Sequence, residues 1–223
     1  AVEAYIHETA APKLLGRDPL EIERISLDLT PYVGFSGSGA ETRGRSAIDV
    51  ALWDLFGKVT EQPVFQLLGG LARKKIRTYN TCAGYRYVRS RPDWDTSDWG
   101  LESPPEGPYE DLDAFLNRPD ELALDLLGQG ITGMKIWPFD HAAEDSDGYY
   151  ISNESLDRCL EPFQKIRNAV GDKMDIMVEL HSLWRLPAAL KIAEALEPYN
   201  PYWYEDPVRM DSLPALARFA EAT

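Results

Sequence analysis

Two glutamates, Glu179 and Glu205, stand at the ends of two short apolar runs, one strand–helix unit apart. Adjacent parallel strands lie about 4.8 Å from each other, so carboxylates at equivalent strand ends would lie close together. Left unpaired they would repel, and one would keep a proton. A hard divalent cation removes that conflict, and Mg2+ takes oxygen ligands while keeping several waters. Two solvated glutamates near loops would show the same spacing. His181 follows Glu179 by two residues. If the strand geometry continues, both side chains point the same way, and an imidazole there is suited to give a proton to a departing hydroxyl. A histidine bonded to a loop carbonyl is the plainer alternative. Lys135 interrupts an otherwise apolar run, and buried lysines are rare unless paired. A nearby metal ion would lower its pKa towards that of a base. Otherwise it holds a substrate carboxylate, or forms an ion pair with one of the glutamates.

These groups need a scaffold that gathers strand ends. Residues 133–137, 174–179 and 202–205 read as strands, and residues 76–81 as a shorter β-like run. Helices are expected between them. Pro119 opens one with Leu122 and Leu126 inward and Gly128 at its C-terminal side. Ser152 or Asn153 caps a second, with Leu156, Leu160, Phe163, Ile166 and Val170 at helical spacing and Gly171 at its end. Residues 186–197 form a third, stopped by Pro198, and Ser212 caps a last one containing Leu213, Leu216 and Phe219. This alternation means βα units and a parallel sheet. No Gly-x-Gly-x-x-Gly follows a strand, which speaks against an open dinucleotide-binding sheet. Charged residues at successive strand ends are where closed barrels place their chemistry. The fold class is therefore α/β, a TIM-like barrel with about four βα units in this chain, over residues 75–223.

Residues 1–74 read as a separate, mostly helical unit. Ser46 is placed to cap a helix carrying Ile48, Leu52, Leu55 and Val59 on one stripe, with Gly57 weakening its end and Pro63 and Gly69-Gly70 closing the segment. Residues 34–44, with four glycines, and residues 86–118, rich in Pro, Asp, Trp and Gly, read as loops. So long a loop in a compact domain is usually functional.

The formal net charge of −14 argues against nucleic acid and anionic membrane surfaces as partners. It also poses a question, because an anionic substrate would need local positive charge such as a metal ion. No apolar run approaches the roughly 20 residues that span a bilayer, and no basic-then-apolar leader is present. Cys82 and Cys159 lie far apart without metal-ligand spacing, which suits a reducing cytoplasm. Trp94, Trp99, Trp137 and Trp184 fall at strand ends or in the long loop and serve either core packing or a substrate pocket. His7 and His141 have no evident partner. Asp206, next to Glu205, is expected to face away and to be structural.

The run Ala47-Ile48-Asp49-Val50-Ala51-Leu52-Trp53-Asp54-Leu55, with Gly57-Lys58, Pro63-Val64 and Leu67-Leu68-Gly69-Gly70, resembles the helix and linker before the barrel in mandelate racemases and muconate lactonizing enzymes of the enolase superfamily. Val178-Glu179 and Trp203-Tyr204-Glu205-Asp206-Pro207 resemble that family's third and fourth barrel strands. The resemblance implies an N-terminal α+β capping domain, partly present in residues 1–74, over a (β/α)7β barrel of which only the first units are present. It implies Mg2+ as cofactor, with Glu179 and Glu205 as two of three carboxylate ligands. It implies α-proton abstraction from a small-molecule carboxylate, and full-length relatives that are commonly homo-oligomers. Lys135-Ile136-Trp137 keeps the first lysine of the family's Lys-x-Lys and has Trp in place of the second, so a lysine base is not expected. His181 matches the position of an acid in acid-sugar dehydratases. The expectation is thus a cytoplasmic dehydratase of an aldonate or aldarate in carbohydrate acid catabolism, with His181 and Lys135 as catalytic groups. A racemase, epimerase or cycloisomerase of the same family, or a non-catalytic fragment lacking the complete site, stands as the alternative.

Overall fold

Register decides which side chains share a face of the sheet. A computed structural model describes residues 1–32, 39–89, 96–99, 101 and 110–223. Three parallel strands lie side by side in chain order: β1 (Gly133–Ile136), β2 (Asp175–Glu179) and β3 (Trp203–Glu205). Lys135 pairs with Met177, and Met177 with Trp203; Glu179 pairs directly with Glu205. Strand alternation therefore puts Lys135, Met177, Glu179, Trp203 and Glu205 on one face. Met134, Ile136, Ile176, Val178 and Tyr204 occupy the other, where they join the main core with Phe163, Ile166, Ile192 and Leu196 of the intervening helices. β1 is buried along its whole length, as a parallel strand covered on both faces must be.

The connecting helices follow their sequence signals closely. They run Pro119–Gly128, Asn153–Val170, Leu186–Leu196 and Leu213–Ala222. Ser152 and Ser212 accept from the backbone N–H groups of Ser155 and Ala215, at 3.0 and 3.3 Å. Residues 76–81 do not make a strand. Only Asn80 pairs, its N–H donating to the Gly133 carbonyl and its carbonyl accepting from the Lys135 N–H, while Ile76 is exposed. Residues 86–118, expected as one long loop, contain helical turns at Gly84–Arg89 and Thr96–Trp99 and a helix at Asp111–Asn117. Buried Glu110 caps that last helix through the Asp113 N–H, and its carboxylate lies where a side chain at Gly84 would be.

Chain contacts divide the protein into two compact units, Ala1–Ile76 and Arg77–Thr223. The first is helical, and its long helix, Ala40–Thr60, starts earlier than Ser46 and takes in Gly44. The reason is packing: a Cβ at Gly44 would sit 2.4 Å from the Tyr5 ring, so this glycine serves a close helix contact rather than a loop. Residues 34–38 of that expected loop lie outside the described residues. Ile48 and Leu52 pack against Ala10, Ile25 and Leu29, but Leu55 and Val59, expected on the same stripe, are exposed. Among the described residues, no helix is long and apolar enough to cross a membrane.

Candidate active site

The C-terminal rim of the sheet brings together three of the four residues singled out above. The Lys135 ammonium donates to Glu179 Oε2 at 2.9 Å and to Glu205 Oε1 at 2.7 Å. The two carboxylates thus converge on one cationic nitrogen. The Lys135–Glu179 pair is nearly closed to solvent, whereas the Glu205 side chain keeps 35% of its exposure. Burial pushes the Glu179 carboxyl above its ordinary value, against the pull of Lys135. Burial also works to raise Glu205, but the hydrogen bond and charge of Lys135 outweigh it and hold that carboxyl low. Desolvation opposes the Lys135 charge, yet its two glutamate partners raise its affinity for the proton. Paired in this way, Lys135 is an acidic-site counter-ion and not a free base.

His181 reaches this cluster by a route different from simple alternation. β2 stops at Glu179, and His181 and Ser182 turn into the left-handed region at φ 48° and 56°. Such conformations are uncommon for residues other than glycine and cost of order 1 kcal/mol or more each. Local bonds offset that. The His181 N–H donates to Glu179 Oε1 at 3.0 Å, and the Ser182 N–H to the Asp206 carbonyl at 2.8 Å. Glu179 is therefore held at both oxygens, by Lys135 and by the His181 backbone. Asp206 also has positive φ (45°), is exposed, and serves the rim through its carbonyl.

The sequence reading missed Asp140. This residue opens the short helix Asp140–Glu144 just beyond β1, and its Oδ2 lies 2.7 Å from His181 Nδ1. Its side chain is 7% exposed, and burial pushes the carboxyl up despite the histidine partner. Desolvation disfavours the imidazolium, but Asp140 outweighs it and raises the His181 pKa. One sequence signal existed: Asp140 is a lone acid in the apolar stretch that leaves β1 through Pro138 and Phe139.

Aromatic residues wall the site. Trp137 is buried and meets the rings of Phe115 (5.0 Å), His181 (5.6 Å) and Tyr87 (6.0 Å). Trp99 and Trp184 are buried too, and Trp94 lies outside the described residues. His141 has partners after all, the Thr96 hydroxyl at 2.7 Å and the Trp99 ring. A cavity of about 350 Å³, lined in part by Pro138, His141, Cys159 and Lys165, includes none of Lys135, Glu179, His181 or Glu205.

The donor set meets the needs of a divalent cation only in part. Among the described residues, no group of three or more His, Cys, Asp or Glu side chains is arranged to hold a metal ion. Two hard oxygen donors that already share one cation do suit Mg2+, which completes its shell with water and needs few protein ligands. The pair fits as part of a site.

Comparison with known proteins gives a consistent picture. Residues 1–69 match the model of the mandelate racemase / muconate lactonizing enzyme N-terminal domain, and residues 120–223 that of the enolase C-terminal domain-like family. The whole chain aligns with a crystal structure of an enolase of the mandelate racemase subgroup from Agrobacterium tumefaciens, at 51% identity and TM-score 0.78, covering 51% of that chain. An enolase protein from Sargasso Sea environmental sequence gives 40% identity and TM-score 0.78, with 52% of that chain covered. Curated relatives include a D-gluconate dehydratase of Thermoproteus tenax (29% identity) and a D-galactonate dehydratase of Ralstonia nicotianae (28%). All of this chain aligns with each, over 38% and 49% of their respective lengths. The chain thus spans half or less of the curated relatives it matches.

Proposed function

Because the chain belongs to the mandelate racemase / muconate lactonizing enzyme family, with the α/β fold of part of an enolase-type barrel and a capping domain, we propose that it works in a Mg2+-dependent dehydratase of an acid sugar, an aldonate or aldarate. The observation that carries this reading is the convergence of Glu179 and Glu205 on a single cationic nitrogen, with His181 folded against the same glutamate. In this reading Glu179 and Glu205 hold the metal. The bound cation supplies the positive charge that makes a proton α to a carboxylate removable. Lys135 adds a second positive charge for the substrate carboxylate. His181 gives a proton to the departing β-hydroxyl, a role worth about 10²–10⁴ in rate when the acid is well placed.

Trp137 favours dehydration over two-base inversion. It puts an apolar ring where a second lysine would stand, just past β1, and that ring packs on His181. The substrate is a small carboxylate; nucleic acid and membranes have no part in the reading, and a homo-oligomeric, cytoplasmic enzyme is its natural setting. The test is product analysis with a panel of aldonates and aldarates and Mg2+, on the protein that carries this chain. A 2-keto-3-deoxy acid is expected. Inversion at C2 without loss of water would sink the dehydratase reading.

A further inference from the structure

We propose that Asp140 is the positioning residue for His181: it fixes the imidazole with its proton on Nδ1, so that Nε2 is the nitrogen that exchanges a proton with a bound molecule. The inference rests on the acid role given to His181 above, but its geometry stands apart from any metal. Asp140 Oδ2 and His181 Nδ1 are 2.7 Å apart, a short contact for a nitrogen donor to an oxygen. An ionised carboxylate only accepts, so the hydrogen in that bond belongs to the imidazole. The bond one ring nitrogen makes sets the state of the other. Among the described residues, no hydrogen bond engages Nε2, while the His181 side chain keeps 34% of its exposure. The ring thus has one nitrogen anchored and one available.

Three further contacts make the anchor rigid. Trp137 meets the His181 ring edge-on, with planes at 75°. The His181 N–H is tied to Glu179, which fixes the backbone in its left-handed turn. The helix that carries Asp140 is fastened by Thr96, whose hydroxyl meets both His141 and Glu144. Asp140 Oδ1 is buried with no hydrogen-bond partner among the described residues, so His181 is the group to which this carboxylate's charge is committed. A buried carboxylate with a single partner is poorly explained by stability alone, because an apolar residue would fill the same space without the desolvation.

The test is a ¹⁵N–¹H correlation spectrum of the three histidines in the full chain, recorded without metal or substrate at a pH where the rings are neutral. His181→Gln identifies the His181 signals. The wild type is expected to favour the Nδ1–H form of His181 by about tenfold or more, as a charge-assisted bond implies. Asp140→Ala is expected to abolish that preference and Asp140→Glu to restore part of it, with His7 unchanged. Should Asp140→Ala fail to fold by far-UV circular dichroism, Asp140→Asn takes its place, since the amide presents a donor as readily as an acceptor. A wild-type proton on Nε2, or a preference for Nδ1–H that survives the substitution, would overturn the proposal. Neither result depends on dehydratase activity, so failure here leaves the functional reading untouched, and an inactive enzyme leaves the tautomer result standing.

Discussion

Lys135→Met removes the only cation bonded to Glu179 and Glu205 among the described residues, at nearly constant side-chain volume. Breaking a buried ion pair by deleting one partner costs about 3–5 kcal/mol, because the other charge is left without compensation. Glu179 is the side chain so exposed to loss, being 5% accessible; Glu205 at 35% is screened by water and adds little. Proton uptake caps the loss. Holding a carboxyl of ordinary pKa neutral at pH 7.5 costs about 4 kcal/mol, and at pH 5 about 1 kcal/mol. The sign follows from linkage. In the variant the folded Glu179 binds a proton that the unfolded chain releases, so its pKa is raised, and stability present below the unfolded pKa is lost as pH rises. Lys135→Met should therefore lose about 3–4 kcal/mol at pH 7.5 but only about 1 kcal/mol at pH 5. Urea unfolding in EDTA, followed by tryptophan fluorescence at both pH values, measures this. Adding Glu179→Gln should recover most of the loss at pH 7.5. A loss below about 1 kcal/mol at pH 7.5, or an equal loss at both pH values, would refute the claim that Lys135 compensates a buried charge.

Mg2+ should stabilise the wild type against unfolding by about 2.7 kcal/mol at 100 times its Kd, and Glu179→Gln should abolish that stabilisation; urea unfolding of both proteins with and without Mg2+ checks it. Mg2+ binding to Lys135→Met at pH 7.5 should release a proton, because Glu179 is protonated in that variant and must ionise to take the metal; calorimetric titration in buffers of different ionisation enthalpy checks it, and binding without proton release would argue against the reasoning. Gly148→Ala should destabilise the second unit by about 1–3 kcal/mol, since φ is +74° and a Cβ would lie 1.9 Å from the Leu183 carbonyl, and thermal melting would show it. The thiols should be inert in the folded chain: burial pushes Cys159 up to about 11 and Cys82 well above its ordinary value, so both should react with a disulfide reagent at pH 8 only after denaturation.

The helices capped by Ser152 and Ser212 and the strands ending at Glu179 and Glu205 were legible, because they depend on local signals: a capping hydroxyl, an apolar period, a proline or glycine stop. Lys135 was legible as an anomaly, a charge in an apolar strand, although spacing left its partners open. What escaped depends on three-dimensional juxtaposition. Gly44 reads as a loop residue until Tyr5 is found pressed against it. Residues 86–118 lack helical period, yet Asp111–Asn117 is helical because Glu110 caps it and Leu112 and Phe115 reach the core. Asp140 lies 41 positions from His181, a separation no sequence motif encodes. The left-handed turn at His181 was hidden for another reason. Its residue types, His and Ser, do not announce positive φ as glycine would, and bonds to Glu179 and Asp206, with the Leu183 N–H donating to the Leu180 carbonyl, hold it.

Charge bears on why one lysine is not enough. Glu179 and Glu205 face a single ammonium, and Asp140 brings a further carboxylate to the neighbouring histidine. With both glutamates ionised, that cluster is already short of positive charge before the carboxylate of the proposed substrate arrives. Burial makes the shortage expensive, because desolvation of Glu179 and Asp140 favours their neutral forms. Lys135 can balance one charge but cannot both hold two glutamates and receive a substrate. A divalent ion taking over the glutamates would free the ammonium to turn towards the incoming carboxylate. On this logic the metal and the lysine are not alternatives. Substrate affinity should depend on both, and at saturating Mg2+ Lys135→Met should weaken binding of a sugar acid. If the variant bound the sugar acid more tightly, Lys135 would be an obstacle to substrate and not its counter-ion.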